Sequence, residues 1–520
     1  MKRFEKLAVL KNVGSSWSSL GANILVGVFL SPYIVHRLGD EAYGVWVLIF
    51  SLTGYYGLFD LGIRSSIVRY VAKYSATEEQ EQLTRLINTA VFSYGAIGIL
   101  ALVLTITGAF YMHSIFHISE SMRGIARLLF LMVGTALSVG FPMGVFGGIL
   151  EGLQRFYVVN CVSIVSTLLR ASLIVITLRH GGGLLSIALV TVSMPLIAGV
   201  VNATVVLHLL PLRFSIKYAD RDSFRRIANY SSTTFVIMVA WRLRFKTDAV
   251  VIGTFLSSAA ITYFTFGARL IDYAIEVVGG MAQIITPLSS RSSASGDILQ
   301  LRKIFVAGNR ACALIIFPIA AMLFVLGKSI IGVWVGQRYV MTSYHVLLIL
   351  LVPSTLMLAQ AGSARTLLGM AKHRTIAFVT LMEGIANVIL SIILVRRFGV
   401  LGDAAGTAIP LLCTTLWFLP RHMCRVLDLR VRTYIREAFL LPLTLTMPLI
   451  VVLLLLRKWF IAHTYFQLAL QLAIGSSVYA TGLLWAIWSR KAWSVRGIYV
   501  ADDAQEASME LAESHQRNEA

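Results

Sequence analysis

Apolar runs of roughly twenty residues recur about fourteen times along the chain, separated by short polar connections, and this rhythm predicts membrane-crossing helices. The expected spans lie at about 13–35, 41–63, 85–110, 124–149, 157–178, 184–210, 231–254, 258–287, 303–327, 343–364, 375–395, 402–420, 438–456 and 465–488. Each is long enough for a hydrocarbon core about 30 Å thick. The expected fold class is therefore an all-α integral membrane protein.

A shift of 217 or 218 residues lays the first half of this pattern on the second. Leu83 and Arg85 fall on Leu301 and Lys303, and Gly152 and Arg155 of "LEGLQRF" fall on Gly369 and Lys372 of "LLGMAKH". Arg179, Gly182, Leu184 and Ala188 fall on Arg396, Gly399, Leu401 and Ala405. The reading is two six-helix bundles, residues 1–228 and 229–437, followed by an extra two-helix hairpin at 438–488 and a tail at 489–520. Span one maps onto span seven, an even number apart, so both copies keep the same orientation, as parallel repeats do. The plainer alternative is that multi-span sequences resemble one another at low resolution.

Polar residues interrupt this pattern in phase. Six arginines, Arg127, Arg170, Arg242, Arg244, Arg269 and Arg310, fall inside expected spans. An arginine at mid-bilayer costs about 2.5–3.5 kcal/mol on insertion scales, so a wet cavity or a partner has to receive it. In the eighth span Arg269, Asp272, Glu276 and Gln283 share one helix face, where Arg269 and Asp272 can pair. The fifth span aligns Asn160, Ser163, Thr167 and Arg170, and its repeat mate aligns Thr380, Glu383 and Asn387. Asn12, Ser16, Ser19 and Asn23 form a line in the first span, and Thr234, Trp241, Arg244 and Asp248 in the seventh, from which Arg242 points away.

Two readings of these stripes compete. Internally neutralised clusters and Ser/Thr lines can simply join packed helices. Alternatively they line a cavity, with Arg170, Arg269, Arg242 and Arg244 contacting substrate and Asp272, Glu276, Asp248 and Glu383 available to couple transport to protons or sodium. Arg127 and Arg310 lie within about two turns of their span ends, where snorkelling to the interface suffices. Arg170 and Arg269 occupy the clearest stripes. After the second span, "RSSIVRYVAKY" reads as a short basic helix anchored on the cytoplasmic lipid surface.

Composition sharpens this picture. With 57% hydrophobic and 13% charged residues and a mean hydropathy of +0.78, the chain is too apolar for a soluble protein. Its net charge of +20 is spread over short loops, which argues against nucleic acid as a partner. With the N-terminus inside, cytoplasmic connections and termini hold about 29 Lys/Arg against about 10 outside, which places both termini in the cytoplasm. "MKRFEKLAVLKNVGSSW" shows no removable signal, so the first span is read as an anchor that stays. Cys161, Cys312, Cys413 and Cys424 form no CxxC pair. His113 and His117 sit four apart without a third ligand, and no P-loop or nucleophile elbow occurs, so no catalytic residue, metal or cofactor is expected.

The segment Leu38–Tyr74, "LGDEAYGVWVLIFSLTGYYGLFDLGIRSSIVRYVAKY", resembles the polysaccharide transporter family of Wzx-type flippases in its "LG...YG", "FDLG" and "R....RY.A" elements. "EGLQRFYVVN" is similar to the family's loop into span five, and "DAVVIGTFLSSAAITYFTFGARL" to its segment joining spans seven and eight. The resemblance covers most of residues 1–430 and extends to the superfamily that holds MATE exporters and the lipid II flippase MurJ. It implies a two-bundle helical protein of the bacterial cytoplasmic membrane that flips undecaprenyl-diphosphate-linked oligosaccharide by alternating access. The implied partners are that lipid, membrane lipids and polysaccharide assembly proteins. Cavity residues vary within the family, so the four arginines rest on depth and phase alone.

A MATE-like cation-coupled exporter and a membrane glycosyltransferase or polymerase are the alternatives. A site for cationic drugs favours unpaired acids and aromatics, whereas intramembrane arginine here at least matches acid. An enzyme needs an outer loop able to place acid and base groups, and the outer connections are only about 3–15 residues long.

Overall fold

A computed structural model describes residues 2–372 and 374–489, without the side chains of 2–13, 227–234 and 236–237. The expected tail beyond 489, Asn12 and Thr234 fall outside these described residues. Every regular element among the described residues is helical.

The elements in order are α1 (Lys2–Leu38), α2 (Asp40–Gly54), α3 (Ile63–Ala76), α4 (Gln80–Ile115), α5 (Glu120–Gly152), α6 (Phe156–Arg179), α7 (Leu184–Leu209), α8 (Arg221–Phe245) and α9 (Asp248–Phe255). They continue with α10 (Ser258–Ala282), α11 (Ile285–Ala294), α12 (Ile298–Trp334), α13 (Val340–Ala359), α14 (Ala361–Gly369), α15 (Arg374–Cys413), α16 (Leu419–Val426), α17 (Val431–Trp459) and α18 (Tyr465–Trp488). Eleven helical stretches among the described residues are long and apolar enough to cross a membrane. One of them, Arg374–Val426, runs for 53 residues and turns at Gly399, whose φ of 58° suits glycine. The charged helices α8 and α10 are not among the eleven. Apolar side chains such as Phe29, Ile99 and Leu189 remain exposed, as lipid-facing surface requires.

The described residues form two compact units, one of residues 2–265 and 380–403, the other of 266–379 and 404–489. In the first unit, Ile63, Ile67, Val71 and Tyr74 of α3 pack with Leu83, Leu86 and Ile87 of α4 and Val145, Ile149 and Leu150 of α5. The basic helix expected on the lipid surface therefore spends its apolar face on its own protein and turns Arg64, Arg69 and Lys73 outward. Its entry is fixed by the "FDLG" turn, where Leu61 and Gly62 are both left-handed, with φ of 49° and 78°. The Tyr94 hydroxyl donates to Asp60, and Arg64 pairs with Glu151 at 2.6 Å.

In the second unit, α12 packs against α17 through Leu301 and Phe305, which meet Tyr434 and Ala438. Further along α12, Ala321, Val325 and Leu326 meet Leu449, Leu453 and Tyr479 of the α17–α18 hairpin. Arg310, expected to snorkel, is instead 3% exposed, donates from Nε to the Glu437 carbonyl at 2.7 Å and reaches its carboxylate at 3.2 Å. Position in the sequence put it near an interface; a carboxylate on α17 made burial possible.

Candidate functional site

The expected seventh span is two helices, because Lys246 and Thr247 interrupt it between α8 and α9. Arg244 and Asp248 thus leave the single helix face that periodicity gave them, yet both turn toward α15. Arg244 Nε lies 2.6 Å from Glu383 Oε1, with side chains 11% and 4% exposed. Close approach of the two helices is possible because a Cβ on Gly384 would sit 2.9 Å from Leu243 Cβ. The line continues along α15, where Asn387 donates to the Arg244 carbonyl at 3.0 Å and Ser391 donates to Asn387 Oδ1 at 3.1 Å. Ser391 also reaches the Asp403 carbonyl at 3.3 Å, and the buried Asp403 carboxyl meets that of Asp248.

A continuous polar file, Glu383–Arg244–Asn387–Ser391–Asp403–Asp248, therefore runs through the first unit. Sequence reasoning found Glu383, Asn387, Arg244 and Asp248 but not Asp403. Asp403 stands just after the Gly399 turn, where no helical stripe could reveal it. Two carboxyl groups in contact, one of them fully buried, repel unless a proton or a cation lies with them.

The α6 stripe behaves differently. Asn160 donates to Ser15 and Ser16 of α1 at 3.0 Å each, and Thr167 donates to Asn23 at 3.3 Å. This stretch joins two helices, as Ser/Thr lines commonly do. Arg170 follows on the next turn, half-buried, with no ion-pair partner among the described residues.

Arg242 is the second such arginine. Its guanidinium rests over Gly54 and Gly57, at the end of α2, with the Tyr55 side chain beside it and Tyr55 itself bonded to Thr247 at 2.7 Å. No carboxylate pairs with Arg242 among the described residues.

In the second unit, Arg269 lies 3.7 Å from Asp272 and 5.2 Å above the Tyr273 ring. Its side chain stays 37% exposed, so the pair is loose and the guanidinium remains accessible. Glu276 lies one turn further along α10, half-buried. Gln283 does not complete this stripe, because α10 ends at Ala282 and Gln283 occupies the turn beyond. Outside both clusters, Arg127 is exposed and lies 4.7 Å over Phe110. His117 bonds the Thr254 carbonyl at 2.7 Å, and no group of three metal-ligating side chains occurs among the described residues.

Comparison with known proteins places this architecture. The chain is 22% identical over 438 residues to the uncharacterized membrane protein EpsK of Bacillus subtilis, covering 82% of this chain and 85% of that one. It is 20% identical over 430 residues to a putative O-antigen transporter of Shigella flexneri, covering 81% of this chain and 100% of the relative. Among solved structures, the lipid II flippase MurJ in an inward closed conformation superposes with a TM-score of 0.70 at 15% identity, over 93% of this chain and 99% of that one. At that identity the likeness speaks for the fold. Residues 9–293, more than half of the 520, match the polysaccharide biosynthesis protein family, and the chain belongs to it.

Proposed function

We propose that this multi-pass membrane protein is a flippase, turning undecaprenyl-diphosphate-linked oligosaccharide from the cytoplasmic to the outer leaflet of the bacterial cytoplasmic membrane by alternating access. The observation that carries the reading is that Arg170 and Arg242, both in expected spans, have no carboxylate to neutralise them among the described residues. A guanidinium keeps its charge at membrane depth and offers planar donors that fit phosphate oxygens, so such a group is suited to an anionic headgroup while the lipid tail stays in the bilayer. Family membership, the name of the Shigella relative and the fold shared with a lipid II flippase support the same substrate class.

In this proposal Arg170 and Arg242 meet the diphosphate, and Arg269, which already has Asp272 beside it, meets its sugars. Arg244 is held by Glu383 and ties α8 to α15. Coupling falls to the carboxylates, with Asp248 and its contact Asp403 as the cation or proton acceptor and Asp272 and Glu276 as the corresponding group of the second unit. Both termini are cytoplasmic, the two six-helix halves 1–228 and 229–437 form the moving bodies, and polysaccharide assembly proteins supply and receive the lipid.

The test is reconstitution in liposomes with a fluorescent lipid-linked oligosaccharide, scored for movement between leaflets with and without proton or sodium gradients. Gradient-dependent movement is expected. Movement no faster than in protein-free vesicles under every gradient would remove the flippase reading.

A further inference from the structure

The end of α2 carries a glycine pair whose backbone does not ask for glycine. Gly54 has φ −58° and ψ −30°, ordinary right-handed helix, and Gly57, inside the following 3-10 turn Tyr55–Asp60, has no positive φ. Alanine at an interior helical position is favoured over glycine by about 0.5–1 kcal/mol. Something else must make a side chain unwelcome at both positions.

That something is Arg242. A Cβ on Gly54 would lie 3.2 Å from Arg242 Nη1, and a Cβ on Gly57 would lie 2.9 Å from Nη2. Apart from the Arg242 Cζ, at 4.0 and 3.9 Å, no atom of the described residues beyond the glycines' own chain neighbours and helix backbone comes within 4 Å of either site. The two missing methyl groups make room for one guanidinium and nothing else. That guanidinium is also one of the arginines without a carboxylate partner among the described residues, and the neighbouring Tyr55 hydroxyl is already engaged by Thr247 at 2.7 Å.

We infer that Gly54 and Gly57 are positioning residues that seat Arg242 for recognition of a diphosphate ester. The inference rests on the flippase reading for its physiological ligand. Arg242 makes the contact and the glycines act through it. A methyl at position 57 would have to displace the guanidinium by about half an ångström to reach ordinary contact, enough to spoil a bidentate bond to phosphate oxygens. An alanine there also favours the helical backbone, so a purely structural account and this one predict opposite responses.

The experiment is titration calorimetry of the full-length protein in detergent with geranyl diphosphate, alongside thermal unfolding, for wild type, G54A, G57A, R242A and the double variant G57A/R242A. We expect G57A to weaken binding about tenfold with an unfolding temperature equal to or above wild type, and G54A to do so less. In the R242A background G57A should change the affinity no further. Equal losses from G57A with and without Arg242, unchanged affinity in G57A, or a lowered unfolding temperature in G57A with wild-type affinity each overturn the inference. Because this readout is binding, its failure stands apart from failure of the liposome assay, which concerns the flippase reading alone.

Discussion

Removing Glu383 is the sharpest perturbation of the polar file. At 2.6 Å and an effective dielectric of about 20, the attraction between Arg244 and Glu383 is about 6 kcal/mol, against a desolvation cost of several kcal/mol for each ion. The net worth of the intact pair is therefore small. Breaking it is another matter, because E383Q removes the carboxylate that receives a guanidinium with 11% side-chain exposure. A loss of about 3–5 kcal/mol is expected. Replacing both residues by methionine removes attraction and desolvation together and should leave stability within about 1 kcal/mol of wild type. Equilibrium unfolding of wild type, R244M, E383M and the double variant in mixed micelles, with E383Q alongside, gives the coupling energy directly. If E383Q costs less than about 1 kcal/mol, or the double variant is as unstable as the single one, the file does not depend on a buried ion pair and the reasoning fails.

Three further outcomes follow from the same geometry. R170A and R269A are each expected to abolish surface glycan export while folded protein stays at the membrane, and normal export in both would end their assignment to the substrate. D403N removes one member of the carboxyl pair, so transport in liposomes should lose its dependence on the coupling gradient while binding of lipid-linked oligosaccharide persists; gradient dependence equal to wild type would show that the pair is not the coupling site. At the start of α8, the Asp220 side chain accepts from the Ser223 amide and hydroxyl at 2.7 Å each, and although burial pushes its carboxyl up, these bonds outweigh it and hold the group below the usual carboxylate range. D220A should cost about 1 kcal/mol at neutral pH, and because a depressed group stabilises above its unfolded value, the difference between wild type and variant should begin to shrink below about pH 4 and vanish once the pH is under the depressed folded value.

Hydrophobic rhythm made the helical membrane fold legible, since twenty apolar residues have few other uses. It was less informative where one helix became two. The turn at Gly399 falls in the expected connection between spans 375–395 and 402–420, but the break at Lys246–Thr247 falls inside the expected span 231–254, and together they let Arg244 and Asp248 meet different parts of α15. Phase identified Arg170, Arg244 and Glu383 as polar faces but could not say which would find partners, because ion pairs between α8 and α15 join residues 139 positions apart. The basic helix α3 shows the same limit from the other side. Its amphipathic pattern is equally compatible with lipid and with protein, and the packing of Ile67 and Val71 against α4 and α5 decides for protein.

The arginines of the expected spans divide by what receives their charge. Arg244 and Arg310 each pair with a carboxylate on another helix, Glu383 and Glu437, and each joins two helices at low exposure. Arg170 and Arg242 have no such partner among the described residues, and burial without a countercharge costs free energy that helix packing alone does not return. That cost is offset when an anion arrives, so ligand binding and stability should be linked at these two sites and not at the paired ones. A diphosphate ligand should therefore raise the unfolding temperature of wild type, and of the R244M/E383M double variant by the same amount, but not of a protein lacking both Arg170 and Arg242. A ligand-induced rise that survives the loss of both would mean that the anion is held elsewhere, and the division of the arginines drawn from their pairing would fall with it.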